Sequence, residues 1–162
     1  MNINEKKVTH LILVDIRSTY NVGSIFRTAD AAGISKIYLC GITPTPIDRF
    51  GRARKDIAKV ALGAHTQVLW EYVEHAEDIV VRLTGEHYTI IALEQDASAV
   101  PYNMYSYPKH CALVVGNEVD GIATTLLARC DAIVEIPQSG TKESLNVSVA
   151  AGIAMFAIRD SI

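Results

Sequence analysis

The chain has 162 residues, of which 49% are hydrophobic and 20% are charged, and its formal net charge at pH 7 is −3. These proportions are typical of a folded globular protein and exclude a disordered chain, and the length fits one domain, residues 1–162. No apolar run reaches the ~18 residues of a membrane span, and the N-terminal residues lack the apolar stretch of a signal peptide. We therefore expect a cytoplasmic protein without membrane contact.

Charge is unevenly distributed along the chain. Residues 1–70 carry ten Lys and Arg against five Asp and Glu, whereas residues 71–162 carry five against thirteen. The first half contains a basic cluster, Arg49, Arg52, Arg54, Lys55 and Lys59. A basic face on an acidic protein indicates a polyanionic partner, although an ordinary solvated loop explains the charge equally well.

The predicted elements alternate between strand and helix. In chain order they are strand 8–16, helix 21–32, strand 36–40, helix 55–62, strand 66–72, helix 74–84, strand 88–93, strand 111–115, helix 123–129, strand 132–136 and helix 144–159. Prolines predict a long loop over 41–51 and an irregular segment over 96–109. Apolar strands that alternate with helices predict an α/β fold, a parallel sheet flanked by helices.

Several kinds of site are excluded by the motifs. No two glycines stand two residues apart, so the dinucleotide fingerprint cannot occur, and the spacing Gly116 to Gly121 lacks the Lys of a phosphate loop. No cluster has the spacing of metal ligands, so we expect no metal. The three cysteines, Cys40, Cys111 and Cys130, are interpreted as reduced core thiols.

Three loops could carry chemistry, because each leaves a strand for a helix. The first contains Asn21 and Arg27, the second is 116–121, and the third contains Ser144 and Asn146. Each also has an ordinary structural explanation, namely a capping Asn with a surface Arg, a simple turn, and a helix cap.

Taken in order, the loops resemble the three motifs of the SPOUT superfamily of RNA methyltransferases, in its SpoU (TrmH-like) branch. The first motif is Asn21-x-Gly-x-Ile-x-Arg27, and the second is Val114-Val115-Gly116-Asn117-Glu118 with Gly121. The third is Ile136-Pro137 followed by Ser144-Leu145-Asn146-Val147-Ser148. The resemblance covers nearly the whole chain and depends on three separated motifs at matching spacing.

The resemblance implies a deep C-terminal trefoil knot in the α/β fold, a feature that is otherwise nearly absent from proteins. It implies that S-adenosyl-L-methionine binds in the knot, largely through main-chain groups, and that the protein is a homodimer. By position, the cofactor-binding residues are Leu93, Gly116, Ile136, Gln138, Ser144 and Leu145.

The implied reaction is methylation of a ribose 2′-hydroxyl in tRNA or rRNA. The implied catalytic residues are Arg27, Asn21, Glu118, Ser144 and Asn146. Because a guanidinium holds its proton tightly, Arg27 is either deprotonated in the assembled site or remains a cation that stabilises the forming alkoxide, and the second version is favoured.

With no further domain predicted within 1–162, contact with RNA is expected from the core, through Arg49, Arg52, Arg54 and Lys55. Two alternatives remain open. One is a knotted enzyme that methylates a base nitrogen, and the other is a non-catalytic RNA-binding protein.

Overall fold

The computed structural model describes residues 7–161, which build a parallel sheet with helices on both faces. The strands are β1 (Val8–Val14), β2 (Lys36–Cys40), β3 (Leu69–Val73), β4 (Thr89–Leu93), β5 (Val100–Pro101), β6 (His110–Val115) and β7 (Ala132–Glu135). The helices are α1 (Thr19–Ala32), α2 (Lys55–Ala61), α3 (Ala76–Gly85), α4 (Thr124–Leu127) and α5 (Val147–Asp160). The predicted α/β class with a parallel sheet is confirmed.

The strand order is β3-β2-β1-β6-β4-β7-β5, and every pairing is parallel. In the centre of the sheet, Leu11 of β1 lies between Ile37 of β2 and Leu113 of β6. The short strand β5, with Pro101, lies at one edge, where a residue without an N–H is tolerated. Because β1, β6, β4 and β7 are consecutive neighbours, the loops that follow them leave the sheet side by side.

Two hydrophobic cores cover the two faces of the sheet, because successive side chains of a strand point to opposite faces. Leu11 and Leu13 of β1 belong to the core under α1, α2 and α5. Ile12, between them, belongs to the core under α3 and α4. All three side chains are fully buried, so this central part of β1 is covered on both faces of the sheet.

The strand predicted over 8–16 ends two residues early, at Val14. Asp15 adopts a positive φ of 54°, which ends the extended conformation. An aspartate tolerates this region when its side chain bonds locally, and here its carboxylate accepts a hydrogen bond from the Ile42 N–H at 3.0 Å. Asp15 thereby joins the loop after β1 to the loop after β2.

The starts of α1 and α5 also differ from the sequence prediction. Ser18 caps α1, by accepting a hydrogen bond from the Asn21 N–H at 3.2 Å, so the ordinary structural explanation of Asn21 as a helix cap does not hold. Helix α5 begins at Val147, three residues later than predicted, because Asn146 is its N-cap and remains non-helical. The Asn21 side chain is thus available for other contacts, and Ser144 lies in the preceding loop.

The three cysteines are free thiols, as predicted. Cys40 and Cys111 are buried and Cys130 is half-buried. Burial raises the pKa of Cys40 to about 12 and that of Cys130 to about 11, which leaves both as inert thiols at neutral pH.

Candidate active site

The three predicted motif loops meet at the edge of the sheet where the strands end. They follow β1, β6 and β7, and the loop after β4 lies between the last two. Neighbouring strands are about 4.8 Å apart, so residues more than a hundred positions apart in the chain come within contact distance. Ligands of open α/β sheets bind at this edge.

A hydrogen-bonded chain of side chains connects the three motifs. The Asn146 Nδ2 donates to the Asn21 Oδ1 at 3.2 Å. The Asn21 Nδ2 in turn donates to the Glu118 Oε1 at 3.1 Å. Asn146 is fixed from the other side, because its Oδ1 accepts from the Ser148 N–H and hydroxyl at 2.9 and 2.6 Å. Three of the five predicted catalytic residues therefore form one network.

The Glu118 carboxylate anchors the start of α1 to the loop after β6. It accepts from the backbone N–H of Arg17 at 3.1 Å and from that of Ser18 at 3.3 Å, in addition to the Asn21 amide. Burial raises the pKa of the Glu118 carboxyl, but hydrogen bonds from its own N–H and from these three donors outweigh that effect and hold it below its ordinary value. Glu118 is therefore ionised at neutral pH.

A cleft of about 300 Å³ lies beside this network, and we call it the Gly116 cleft. It is formed by the loops after β4, β6 and β7 and by the first turn of α5. All six residues predicted to bind the cofactor line it, namely Leu93, Gly116, Ile136, Gln138, Ser144 and Leu145. The fold thus gathers into one cleft a set that spans 53 positions of the sequence, from 93 to 145.

Two lining residues, Glu94 and Gln95, were missed in the sequence. The Glu94 Oε2 accepts from the Ile122 N–H at 2.9 Å, and the Gln95 Nε2 donates to the Glu143 carbonyl at 2.9 Å. Glu94 thereby connects the loop after β4 to the loop after β6, and Gln95 connects it to the loop before α5. Their position in the sequence could have identified them as lining residues, since they directly follow β4 as Gly116 directly follows β6.

The charge of the Gly116 cleft is one-sided. Four carboxylates line it, namely Glu94, Glu118, Glu135 and Glu143. Among residues 7–161, no Lys, Arg or His belongs to the lining. An acidic lining attracts a cationic ligand and repels the phosphates of a nucleotide. A sulfonium compound such as S-adenosylmethionine fits this electrostatic environment.

Gly116 permits the close approach of two backbone segments at the floor of the cleft. A Cβ at this position would lie 2.5 Å from the Gly121 carbonyl carbon and 2.6 Å from the Ile122 Cγ1. The turn is closed by hydrogen bonds between the Asn117 and Gly121 backbones, at 3.0 and 3.2 Å. The second motif therefore needs glycine at 116 for packing, and Gly121 has a positive φ of 67°.

Arg27 lies on α1, about 9 Å along the helix axis from Asn21. Its side chain is exposed. Within 7–161 it forms no ion pair, and it does not line the Gly116 cleft of its own chain. Ser24, three residues earlier on the same face, and Thr28 border a groove between α1 and α5. The fold therefore does not bring Arg27 to the network within one chain.

The predicted RNA-binding residues lie together on the loop after β2 and the start of α2. Arg49, Arg52 and Lys55 are exposed, and Arg54 is half-buried. Arg52 pairs with Asp48 at 3.0 Å. Gly23 of the first motif holds α2 against α1, because a Cβ there would lie 2.8 Å from the Ile57 carbonyl oxygen. The basic loop is thus fixed next to the helix that carries Asn21 and Arg27.

In the part of the chain that the structure describes, no group of three or more His, Cys, Asp and Glu side chains could hold a metal ion. Among the same residues, no helix combines the length and the apolar character needed to cross a membrane.

Known proteins resemble this chain over nearly its whole length. A 23S rRNA (guanosine-2'-O-)-methyltransferase from Acinetobacter baylyi is 30% identical over 154 residues, which cover 94% of this chain and 60% of that protein. A tRNA (guanosine(18)-2'-O)-methyltransferase from Aquifex aeolicus is 29% identical, covering 94% of this chain and 70% of that protein. The solved AdoMet-bound rRNA methyltransferase from Sinorhizobium meliloti has a TM-score of 0.84 at 30% identity, covering 96% of this chain and 57% of that one.

This chain is shorter than several of these relatives, and it spans 60% and 57% of the lengths of the first two curated ones. The match to the family itself is nearly complete, since the SpoU rRNA Methylase family covers residues 8–156. That range contains β1 to β7 and all but the last residues of α5, together with all three motif loops. The chain belongs to the SpoU rRNA Methylase family.

Proposed function

We propose that this protein uses S-adenosyl-L-methionine to methylate a ribose 2′-hydroxyl of a tRNA or an rRNA in the cytoplasm. The observation that carries the proposal is the meeting of three motif loops, which places the Glu118–Asn21–Asn146 network beside the acidic Gly116 cleft. The reaction type is supported by relatives named as guanosine 2′-O-methyltransferases. The cofactor is supported by the relative whose structure holds AdoMet.

The Gly116 cleft is the proposed cofactor site. Its volume of about 300 Å³ lies at the lower end of the range for small-molecule pockets. Leu93, Ile136 and Leu145 offer apolar contacts, and Gly116 contributes backbone atoms to the lining. The surrounding carboxylates favour a positive charge on the ligand.

We also propose that residues 1–162 form one methyltransferase domain with a C-terminal trefoil knot. Support comes from the connections around the cleft. The segment between β7 and α5 passes the loop after β4, where the Gln95 side chain donates to the Glu143 carbonyl. Strand β6, which follows β4 and β5 in the chain, is inserted between β1 and β4 in the sheet. Such crossed connections are what a knotted chain requires.

When bound, S-adenosylmethionine supplies a methyl group on a sulfonium, which is already a good leaving group. The protein then has to align the 2′-hydroxyl and assist loss of its proton. We propose that Asn21 and Asn146 orient the ribose, that ionised Glu118 fixes Asn21, and that Ser144 contacts the ribose or the cofactor. Arg27 remains cationic and stabilises the forming alkoxide, and the hydroxyl proton leaves to solvent.

The proposed assembly is a homodimer through α1 and α5. A groove of about 440 Å³ runs between these helices and is bordered by Val149, Ile153 and Phe156. Val149 is 51% exposed although it lies at the start of a strongly apolar helix. Because Arg27 is exposed on α1 and does not line the cleft of its own chain, a partner across this groove offers it a second active site to complete.

The test combines cofactor binding with product identification. Calorimetric titration with S-adenosylmethionine in the presence of a chelator is expected to give binding without added metal. Incubation with total RNA and labelled cofactor, followed by digestion to nucleosides and mass spectrometry, is expected to give a 2′-O-methylated nucleoside. The Asn21→Ala variant serves as the negative control for transfer.

Each alternative predicts a different result of these measurements. A methyl group on a base nitrogen would assign the protein to the base-methylating reaction. Binding of RNA with neither cofactor binding nor transfer would identify a non-catalytic RNA-binding protein. A heat of cofactor binding that appears only with a divalent ion would contradict the metal-free site.

A further inference from the structure

A second hollow lies at the carboxyl ends of β2 and β3, beside the Gly116 cleft. It encloses about 930 Å³ and is lined by Ile42, Pro44, Phe50, Arg54, Trp70 and Tyr72, among others. We call it the Phe50 hollow. Its lining combines aromatic rings with arginines, whereas the Gly116 cleft is lined by carboxylates and aliphatic side chains. The two depressions therefore suit ligands of different chemistry.

The loop that bounds this hollow is a closed, hydrogen-bonded turn. The Asp48 carboxylate accepts from the backbone N–H of Phe50 at 2.8 Å and from that of Arg52 at 3.0 Å. The Asp48 N–H donates to the Arg52 carbonyl at 2.8 Å, and Ile47 bridges to Ala53. Gly51 takes a φ of 77°, as a tight turn requires. The tip of the loop is thus held in one conformation before any ligand binds.

This turn presents Phe50 to solvent with two guanidinium groups over its ring. The Phe50 side chain is 65% exposed, although burying it would be favourable. The Arg49 Cζ lies 4.8 Å from the centre of the ring and the Arg52 Cζ lies 5.0 Å from it. An exposed aromatic ring with adjacent guanidinium planes is a surface on which nucleobases stack, with cations at hand for the neighbouring phosphates.

One buried polar group at the same place is unsatisfied. The Arg54 Nε is buried and has no hydrogen-bond partner among residues 7–161. Arg54 itself lines the hollow. A buried donor without an acceptor is costly unless a ligand or water supplies one. A phosphate or a base carbonyl in the hollow would supply that acceptor once a shift of the Arg54 side chain exposes the nitrogen.

The hollow is directly connected to the proposed active site. The Asp15 carboxylate accepts from the Ile42 N–H at 3.0 Å, and the Asp15 carbonyl accepts from the Asn117 side chain at 2.7 Å. Ile42 lines the hollow and Asn117 lines the Gly116 cleft. Strands β2 and β6 are separated by β1 alone, so the two sites are about 10 Å apart at the sheet edge.

We propose that the Phe50 hollow binds an unpaired nucleobase of a single-stranded RNA segment, next to the nucleotide that is methylated. Phe50 and the guanidinium planes of Arg49 and Arg52 stack with the base, and Arg54 donates a hydrogen bond to its phosphate or carbonyl oxygen. This inference rests on the proposed function and deepens it, because it assigns the substrate to unpaired RNA in place of a duplex. A base inside a helix is stacked on its neighbours and cannot enter the hollow.

The experiment measures binding of a fluorescein-labelled, mixed-sequence RNA oligonucleotide of about 12 nucleotides, within the ~4–16 that single-stranded sites span. Three matched probes are used: the single strand, its duplex, and an abasic strand of equal charge. We expect the wild type to prefer the single strand over both other probes. Phe50→Ala is expected to weaken binding of the single strand about tenfold, within the range measured for one base on one aromatic ring.

Two further variants distinguish stacking from simple hydrophobic contact. Phe50→Leu keeps apolar bulk but has no π-face, so it is expected to bind as weakly as Phe50→Ala. Phe50→Trp keeps a π-face and is expected to bind at least as tightly as the wild type. Because Phe50 lies outside both cores, melting temperatures should be unchanged. Val81→Ala, at an exposed position of α3, is the matched control and should bind like the wild type.

Equal affinity of the wild type for the base-containing single strand and the abasic strand would overturn the inference. Binding of the single strand by Phe50→Leu as tight as that by the wild type would also overturn it. Its failure is distinguishable from failure of the proposed function, because methyl transfer to total RNA is measured on the same wild-type preparation. If methyl is transferred but Phe50 variants bind RNA like the wild type, the proposed function stands and the stacking site is refuted. If Phe50 variants weaken binding only of the base-containing strand but no methyl is transferred, the stacking site stands and the proposed function is refuted.

Discussion

Replacing Gly116 by Ala tests whether the Gly116 cleft is the cofactor site. The added Cβ would lie 2.5 Å from the Gly121 carbonyl carbon and 2.6 Å from its oxygen. Carbon atoms in contact are normally about 3.5–4.0 Å apart, so one of the two backbone segments has to move by roughly 1 Å. Neither atom belongs to a flexible side chain, and therefore the turn 116–121 itself must shift.

The size of the effect follows from that displacement. Forcing an extra methyl group into a packed site costs about 1–3 kcal/mol of unfolding free energy, which lowers the melting temperature of a chain of this length by about 2–4 °C per kcal/mol. The displaced turn also carries main-chain groups of the cleft, and a 1 Å misplacement can cost about a hundredfold in a site that depends on geometry. We expect S-adenosylmethionine to bind at least tenfold more weakly.

The assay is calorimetric titration with S-adenosylmethionine, combined with thermal unfolding of the same samples. Gly85→Ala is the control, since a Cβ at Gly85 meets no atom within 4 Å, and that glycine ends α3 before the start of β4, whereas the cleft lies after the end of β4. It should bind cofactor like the wild type. Unchanged affinity of Gly116→Ala, with the expected loss of stability, would refute the assignment of the cleft.

Three further predictions address the catalytic and RNA-binding groups. Arg27→Ala is expected to abolish methyl transfer and leave S-adenosylmethionine affinity nearly unchanged, because Arg27 does not line the Gly116 cleft; a parallel loss of affinity in calorimetry would place it in the cofactor site instead. Glu118→Gln is expected to lower the melting temperature at neutral pH. Because the pKa of Glu118 in the folded protein is depressed, the difference in melting temperature from the wild type should persist above the ordinary carboxyl value of 4.5 and shrink as the pH falls below it. A difference that is constant with pH would mean that the charge is not involved. Replacing four residues of the basic cluster is expected to weaken RNA binding and to reduce the log–log salt slope by about 0.7–0.9 for each phosphate that the variant no longer neutralises. In filter binding the variant Arg49→Ala, Arg52→Ala, Arg54→Ala, Lys55→Ala is compared with the control Lys109→Ala, Arg129→Ala, and equal slopes would move the RNA footprint elsewhere.

The sequence by itself was sufficient for the fold class and for the positions of the motif loops, whereas the roles of the site residues came from the resemblance and stay a prediction. Runs such as 36–40 and 111–115 are largely apolar, and only a strand covered on both faces buries such a run. The motif loops were equally visible, because a strand that stops at a glycine or proline before a helix is a local pattern. Burial pattern and turn chemistry are properties of short segments, so one sequence suffices to predict them.

The helix starts were less predictable, because several residues competed for the same role. Ser18 and Asn21 are both good N-caps, and so are Ser144 and Asn146. The structure selects Ser18 and Asn146. The choice depends on Glu118, which draws Asn21 into the network. A contact between residues 97 positions apart thus decides which residue caps the helix.

Only the tertiary structure determined which loops share a site. The order β1-β6-β4-β7 places Glu94 and Gln95 in the Gly116 cleft, although neither residue belongs to a motif. The pairing of β2 with β3 places Phe50 and its arginines beside Trp70 and Tyr72 in a second hollow. Apolar strands of similar length can pair in many orders with similar burial, so their order follows from how the helices and connections pack over the whole chain. The sequence therefore specified the chemical groups locally, while long-range packing decided which of them meet.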